Sequence, residues 1–495
     1  MRLVQILSAA GVASLLPIAS DTRDLDIAGV ATDSRTVNRG DLFCCVRGER
    51  VDGHDHAAAA IVAGARAIVV DHPIEVVAPQ IVVDDVRAVV GPLAAAALGN
   101  PSQALRVVGV TGTNGKTTVT HLVDAIVRSG GIRSGIVGTV GTTIADEILV
   151  TSHTTPDAVE LQRLLAQMRD ADVDVVSMEV SSHALDQSRV LGVDFAVACF
   201  TNLRSDHLDY HGTIDEYAAA KRRLFDPRTA PVAVINADDP WGRRFAEDAR
   251  RVGSEVITYS LGDERATLRA EAIVESVHGT VFRVVDARAQ IPMEIETPLV
   301  GRFNVSNVLA AVGCARALGI DTDTIVRGLA AVPQVPGRLE RIEPAGGRIV
   351  VVDYAHTADA LAAVLDALRP YVGDGGRLAV LFGCGGDRDR TKRPEMGAVV
   401  AARADLAVLT SDNPRSEDPA AIVADVVRGM PADDRPHVEL DRHRAIEWII
   451  DATGPGDVVV IAGKGHETGQ TTGTTTVEFD DRVVTRSVLA GRGAS

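Results

Sequence analysis

Residues 105–123, LRVVGVTGTNGKTTVTHLV, constrain the fold more than any other stretch of the chain. A β-branched run of the buried-strand type leads into a turn, Gly112-Thr113-Asn114-Gly115, and then Lys116, Thr117 and Thr118 open an apolar helical pattern. A strand that enters a helix through such a turn presents backbone N–H groups at a helix N-terminus, which favours an anion. Lys116 is then placed to reach the outer phosphates of a nucleotide, and a Thr hydroxyl to help bind Mg²⁺. The loop is a variant, because a strict G-x-x-x-x-G-K-[ST] pattern needs glycine where this chain has Val110; Gly109 comes one residue too early. A glycine turn that binds no phosphate is the bland alternative.

Similar apolar runs at residues 173–180, 193–200 and 231–236 alternate with helical patterns, which predicts a mostly parallel sheet. The 495 residues are too many for one core. Pro101 and Ser102 punctuate the end of a first segment, and VPQVPGRLE at 332–340 reads as a linker around Val332 to Arg338. The expectation is an α/β protein of three domains. A smaller N-terminal α/β domain covers 1–103, a central P-loop-type domain with a mostly parallel sheet and helices covers 104–336, and a Rossmann-like, doubly wound C-terminal domain covers 337–495.

A net charge of −17 argues against nucleic acid or an anionic membrane as the main partner, though not against a local basic pocket for an anionic small molecule. No apolar run reaches the length of a membrane span. The start, MRLVQILSAAG, is faintly like a signal peptide, but its basic region is minimal and Gln5 and Ser8 break the apolar stretch, so a short amphipathic helix is expected. Five cysteines without a CxxC pair read as buried free thiols, Cys44 and Cys45 among them.

Chemistry-bearing residues gather after the apolar runs. Glu179 stands near a strand's C-terminal end, where a carboxylate suits Mg²⁺ or a simple cap. His207 and His211 have helical metal spacing, but no third zinc ligand is evident. In the last segment four apolar runs end in DYAHT, GCGGDRDR, SDNPR and GKGHE. Ligands of open parallel sheets bind beyond the strands' carboxyl ends, so these four loops form a candidate site. By spacing alone Lys221, in YAAAKRRLF, is a surface lysine on a helix.

The motifs GTNGKTT, MEVSSHAL, TNLRSDHLDYHG, EYAAAKRRLF, GRFNVSN, DYAHTADA and FGCGGDRDRTKRP, in this order, resemble the Mur ligases, and the resemblance covers essentially the whole chain. It implies ATP-dependent addition of meso-2,6-diaminopimelate to the D-Glu γ-carboxylate of UDP-MurNAc-L-Ala-D-Glu through an acyl phosphate, in cytoplasmic peptidoglycan precursor synthesis. It implies ATP and Mg²⁺ as cofactors, and CO₂ as a carbamate on Lys221 (N6-carboxylysine). The implied catalytic residues are Lys116, Glu179, His207 and Lys221; Thr117, Glu179, His207 and the Lys221 carbamate are the implied metal ligands. ATP is assigned to residues Gly112 to Thr118 with Asn304, Asp353 and His356. The uridine-nucleotide substrate is assigned to Ser34, Glu49, Arg50, Val51, His153 (where relatives often carry Asn), Thr154, Thr155, Ser181, Gln187 and Arg189.

The SDNPR loop resembles the signature for diaminopimelate rather than L-lysine, which assigns Arg388, Asp412, Asn413, Pro414, Arg415, Gly463 and Glu467 to the amino acid. A far carboxylate suits a bidentate guanidinium, which makes Arg415 the expected clamp, with Pro414 fixing the backbone that presents it. A surface salt-bridge network is the plain alternative for any one of these side chains. The rival functions are an L-lysine-adding or folylpolyglutamate synthetase-like ligase, a P-loop kinase or nucleotide switch, and a catalytically silent binding relative.

Overall fold

The computed structural model describes residues 1–48, 51–145, 147–149, 153–289, 291–343, 346–433 and 435–492. Packing divides the chain into two compact units: residues 1–203, 211–259 and 310–325 form the first, and 204–210, 260–309 and 326–495 the second.

The first unit contains two sheets. Strands Val30–Ala31, Leu42–Cys44, Ala67–Val70 and Gln80–Val82 are all parallel and lie in sequence order. The helix Leu3–Ala9 buries Leu3, Ile6 and Leu7 in the core of this sheet, so the opening residues form the expected amphipathic helix. Cys44 and Cys45 are buried there, and burial pushes the Cys45 thiol up to about 12 and Cys44 higher still. All five cysteines are buried and free of disulfides.

In the second sheet of this unit, Arg106–Thr111 lies between Phe195–Phe200 and Val175–Glu179, parallel to both. Val232–Asn236 and Glu255–Ser260 continue the parallel order on one side. Ser134–Gly138 continues it on the other, followed by the antiparallel strands Gly141–Ile144 and Glu147–Leu149. The glycine turn therefore leaves a central strand that is buried from Val107 to Thr111, and it opens the helix Lys116–Ser129.

The second unit contains the antiparallel strands Leu268–Ser276, Gly279–Asp286 and Met293–Thr297. The last of these alternates buried and exposed residues, as a strand with one wet face must. Its larger sheet runs Glu340–Arg341, Ile349–Asp353, Val458–Ala462, Leu378–Phe382, Leu406–Leu409, His437–Val438 in spatial order and is parallel apart from the first strand. The helices on its two faces enclose separate apolar cores, the doubly wound arrangement expected for the last segment.

Candidate active site

Gly112 has φ +150°, and a Cβ there would lie 1.9 Å from Thr201 Oγ1, so only glycine lets the loop pass. Thr201 Oγ1 in turn donates to Asn114 O at 2.6 Å, and Tyr217 OH lies 3.1 Å from Thr113 Oγ1. Lys116 Nζ donates to Gly112 O and Thr113 O at 3.0 and 2.9 Å, curled over the loop it belongs to.

The reading of Lys221 from spacing alone, a surface lysine, does not hold. Its helix, Ile214–Arg222, begins in a Thr213/Glu216 capping box and turns the lysine inward, where it is 1% exposed. Lys221 Nζ lies 4.5 Å from the Tyr217 ring centroid and donates to Gly112 O at 3.0 Å, so two ammonium groups share one carbonyl oxygen.

Glu179 ends its strand 1% exposed and accepts from Thr117 Oγ1 at 2.9 Å, Thr139 N at 2.8 Å and Thr139 Oγ1 at 3.1 Å. A hydroxyl and a buried carboxylate are thus brought together beside the phosphate loop. This all-oxygen pair is the donor chemistry that Mg²⁺ takes. The same strand end gathers several predicted substrate contacts. Thr154 Oγ1 lies 3.1 Å from Thr139 Oγ1, and Thr155 Oγ1 donates to Glu179 O at 2.8 Å and accepts from Ser181 N at 3.0 Å. His153 is exposed.

Arg189 links this corner to a cavity of about 930 Å³. Its Nη1 donates to Thr155 O at 3.0 Å, and its Nη2 to Gln187 Oε1 at 2.7 Å. Ser34, Val51, Gln187 and Arg189 all line that cavity, together with Arg35, Arg87 and His56; three guanidiniums against the carboxylates of Asp33 and Asp157 give an acidic protein a local basic balance that suits an anion. Arg35 beside Asp33 holds that carboxyl down to about 2. Glu49 and Arg50 lie outside the described residues.

In the second unit, His207 is exposed, has φ +53° and pairs with Asp206 at 3.5 Å. Asn304 is buried, donates to Val300 O at 2.8 Å, accepts from Asn307 Nδ2 at 3.0 Å and lines a cavity of about 220 Å³. Asp353 accepts from Leu339 N and Ala355 N at 2.7 and 2.8 Å, and burial raises its pKa. His356 Nδ1 donates to Tyr354 O at 2.8 Å; burial first, then nearby Lys392, lowers its pKa.

The predicted amino-acid loops do meet. Arg415 has φ +52°, and its Nη1 donates to Gly386 O at 2.6 Å while its backbone N donates to Thr471 O at 3.1 Å. A methyl on Gly385 would lie 3.0 Å from Arg415 Nη1 and 3.7 Å from Arg388 Cγ, so the two arginines flank one glycine. Arg388 itself is exposed. Asn413 Nδ2 donates to Glu467 Oε2 at 2.8 Å. Gly463, at φ +115°, leaves room for Asp412, whose Oδ2 would be 2.5 Å from a Cβ there.

Sequence reasoning missed the groups that hold this cluster. Lys464, fully buried, donates to Asn413 Oδ1, Glu467 Oε2 and Gly469 O at 3.2, 3.1 and 2.7 Å. Arg393, 1% exposed, holds Glu417 with both Nη atoms at 3.0 and 2.8 Å and Asp425 at 2.9 Å. Both cations lie in quoted motifs, GKGHE and RDRTKRP, but nothing local marks them as buried. Thr139 carried no signal at all.

Comparison with known proteins finds relatives along the chain. Residues 26–104 match the model "Mur ligase family, catalytic domain", 110–315 "Mur ligase middle domain", and 337–465 "Mur ligase, glutamate ligase domain". The UDP-N-acetylmuramoyl-L-alanyl-D-glutamate--2,6-diaminopimelate ligase of Geobacillus thermodenitrificans is 46% identical over 94% of this chain and 96% of its own. The protein of the same name from Gloeobacter violaceus is 46% identical over 99% of both chains. A solved structure of a ligase of that name superposes with a TM-score of 0.73 at 36% identity, covering 100% of each chain. With the phosphate loop, the strand-end carboxylate and the doubly wound last sheet all in place, the chain belongs to the Mur ligase family.

Proposed function

We propose that this chain joins meso-2,6-diaminopimelate to the D-Glu γ-carboxylate of UDP-MurNAc-L-Ala-D-Glu at the expense of ATP, as a cytoplasmic step of peptidoglycan precursor synthesis. The observation that carries the reading is 46% identity, over nearly the full length, to two relatives named for that ligase. Among the described residues no helix is long and apolar enough to cross a membrane.

Phosphoryl transfer to a carboxylate brings two anions together, so the site's work is positioning and charge neutralisation. Lys116 would release its loop carbonyls to meet the outer phosphates. Mg²⁺, when bound, would supply further neutralisation; Thr117 and Glu179 would hold it, and His207 is assigned to metal as well. A carbamate on Lys221 forms when the amine attacks CO₂, making an N–C bond and releasing a proton. It would replace two ammonium groups on one carbonyl with an attractive pair. Asn304, Asp353 and His356 are assigned to the nucleotide.

The basic cavity lined by Ser34, Val51, Gln187 and Arg189 suits the uridine diphosphate end of the substrate, with His153, Thr154, Thr155 and Ser181 toward the dipeptide. Glu49 and Arg50 share the assignment to the nucleotide-sugar. Arg415 and Arg388 would clamp the distal carboxylate of diaminopimelate, with Asp412, Asn413 and Glu467 toward its ammonium.

The test is a product assay with purified protein, ATP, Mg²⁺ and UDP-MurNAc-L-Ala-D-Glu, offering diaminopimelate against L-lysine. Tripeptide product and phosphate release that need both the dipeptide and diaminopimelate are expected. Equal use of L-lysine would overturn the choice of amino acid, and phosphate release without an amino acid would favour the kinase reading.

A further inference from the structure

Away from the phosphate loop, His54, Asp71 and His72 each bring one ligand-type atom to within 4.8 Å of the others. His54 belongs to the turn after the strand Leu42–Cys44; Asp71 and His72 follow directly on the neighbouring strand Ala67–Val70. The two imidazoles stack with centroids 4.8 Å apart.

The His54 side chain is only 6% exposed, and its Nδ1 lies 2.6 Å from Asp52 Oδ1. A carboxylate only accepts, so Nδ1 carries the hydrogen and Nε2 is left with its lone pair in the neutral ring. That Nε2 is buried, has no hydrogen-bond partner, and faces Asp71 Oδ1 at 3.3 Å. The same Asp71 oxygen also contacts His72 Nδ1, a hydrogen bond that a metal ion would replace. A buried lone pair turned toward a carboxylate oxygen calls for a cation between them. An orienting carboxylate on the far nitrogen is the usual support of a metal-binding histidine.

We propose that His54, Asp71 and His72 form a binding site for a divalent transition metal of the Zn²⁺ class, with Asp52 orienting His54. Two imidazole nitrogens and one carboxylate oxygen are zinc ligands rather than magnesium ligands, and they leave a fourth position for water. Arg47 is the competing cation: its Nε lies 3.2 Å from Asp71 Oδ2 and 3.5 Å from Asp52 Oδ2, and its Nη2 lies 3.4 Å from Asp71 Oδ1 and 3.5 Å from His72 Nδ1. With 60% of its side chain exposed, it can swing into solvent when the metal enters. The bound ion would tie together two adjacent strand-end loops, one of which supplies Val46 and Gly53 to the wall of the 930 Å³ cavity.

The test uses the full chain after chelator treatment, titrated with Co²⁺ in excess Mg²⁺ and followed by visible absorption and thermal denaturation. One equivalent of Co²⁺ with an intense four-coordinate spectrum, displaced by Zn²⁺ and accompanied by a higher Tm, is expected. His72→Ala, at an exposed position, should abolish the spectrum while the chain stays folded. Asp52→Asn should weaken uptake by about 10–100-fold, and Arg47→Ala should tighten it. No four-coordinate spectrum, or one unchanged in His72→Ala, would overturn the proposal and leave His54 as an imidazole held through Asp52 alone.

Discussion

At the phosphate loop, the cations Lys116 and Lys221 are drawn onto backbone carbonyls of the glycine turn. At the loops of the last sheet, Arg393, Lys464 and Arg442 are each sunk in the protein and bonded to carboxylates. Backbone placed by a central strand and a helix start, with Thr201 also bonding the turn, does not depend on any one lysine. A surface of long polar side chains needs buried counter-charges to fix it. The phosphate region should therefore lose activity without losing stability when a lysine is cut, whereas the amino-acid region should couple the two.

The largest effect that would sharpen this contrast is Lys116→Ala: kcat should fall by about 10³-fold or more, with Tm unchanged in a thermal melt. A large drop in Tm would break the comparison. Gly112→Ala attacks the same loop through its backbone. With Thr201 Oγ1 at 1.9 Å from the new methyl, nucleotide affinity should fall by about 100-fold, read by calorimetric titration with ATP. Arg415→Ala should raise the KM for diaminopimelate by about 10–100-fold and leave that for ATP alone; equal changes in both would remove Arg415 from the amino-acid site.

Glu417→Gln should give the smallest and most diagnostic effect. Arg393 holds the Glu417 carboxyl at about 2 against an ordinary 4.5. Its charged form therefore contributes stability that is complete above pH 4.5 and fades as pH falls toward 2. The variant should be less stable by about 2 kcal/mol at pH 7, with the gap closing in acid. Urea unfolding at several pH values would show it, and a gap independent of pH would refute it.

The phosphate loop was legible because its parts are consecutive in the chain: strand, glycines, Lys116 and helix lie within residues 105–123. The same locality exposed the parallel strands and the four polar loops at their ends. What stayed hidden depends on distance along the chain. Lys464 reaches Asn413 across 51 residues and Thr139 reaches Glu179 across 40, and no periodicity encodes such pairs. Spacing alone puts Lys221 on the surface because three alanines precede it on a short helix, and only packing tells which face of that helix is covered. The strands at 268–297 carry a period-2 alternation of their own, but nothing local says that they pair antiparallel beside a parallel sheet.

Arg442 and Asp481 form an ion pair with both side chains 0% exposed, and Arg442 also donates to Ala462 O at 2.9 Å and Ser411 O at 3.3 Å. Those carbonyls immediately precede Asp412 and Gly463, while Asp481 opens the helix Asp481–Arg492. Trimming that helix from an expression clone would strand a buried guanidinium directly under the proposed amino-acid loops. A truncated enzyme that still hydrolyses or binds nucleotide but accepts its amino acid poorly would then report damage done from below, at a place no substrate touches.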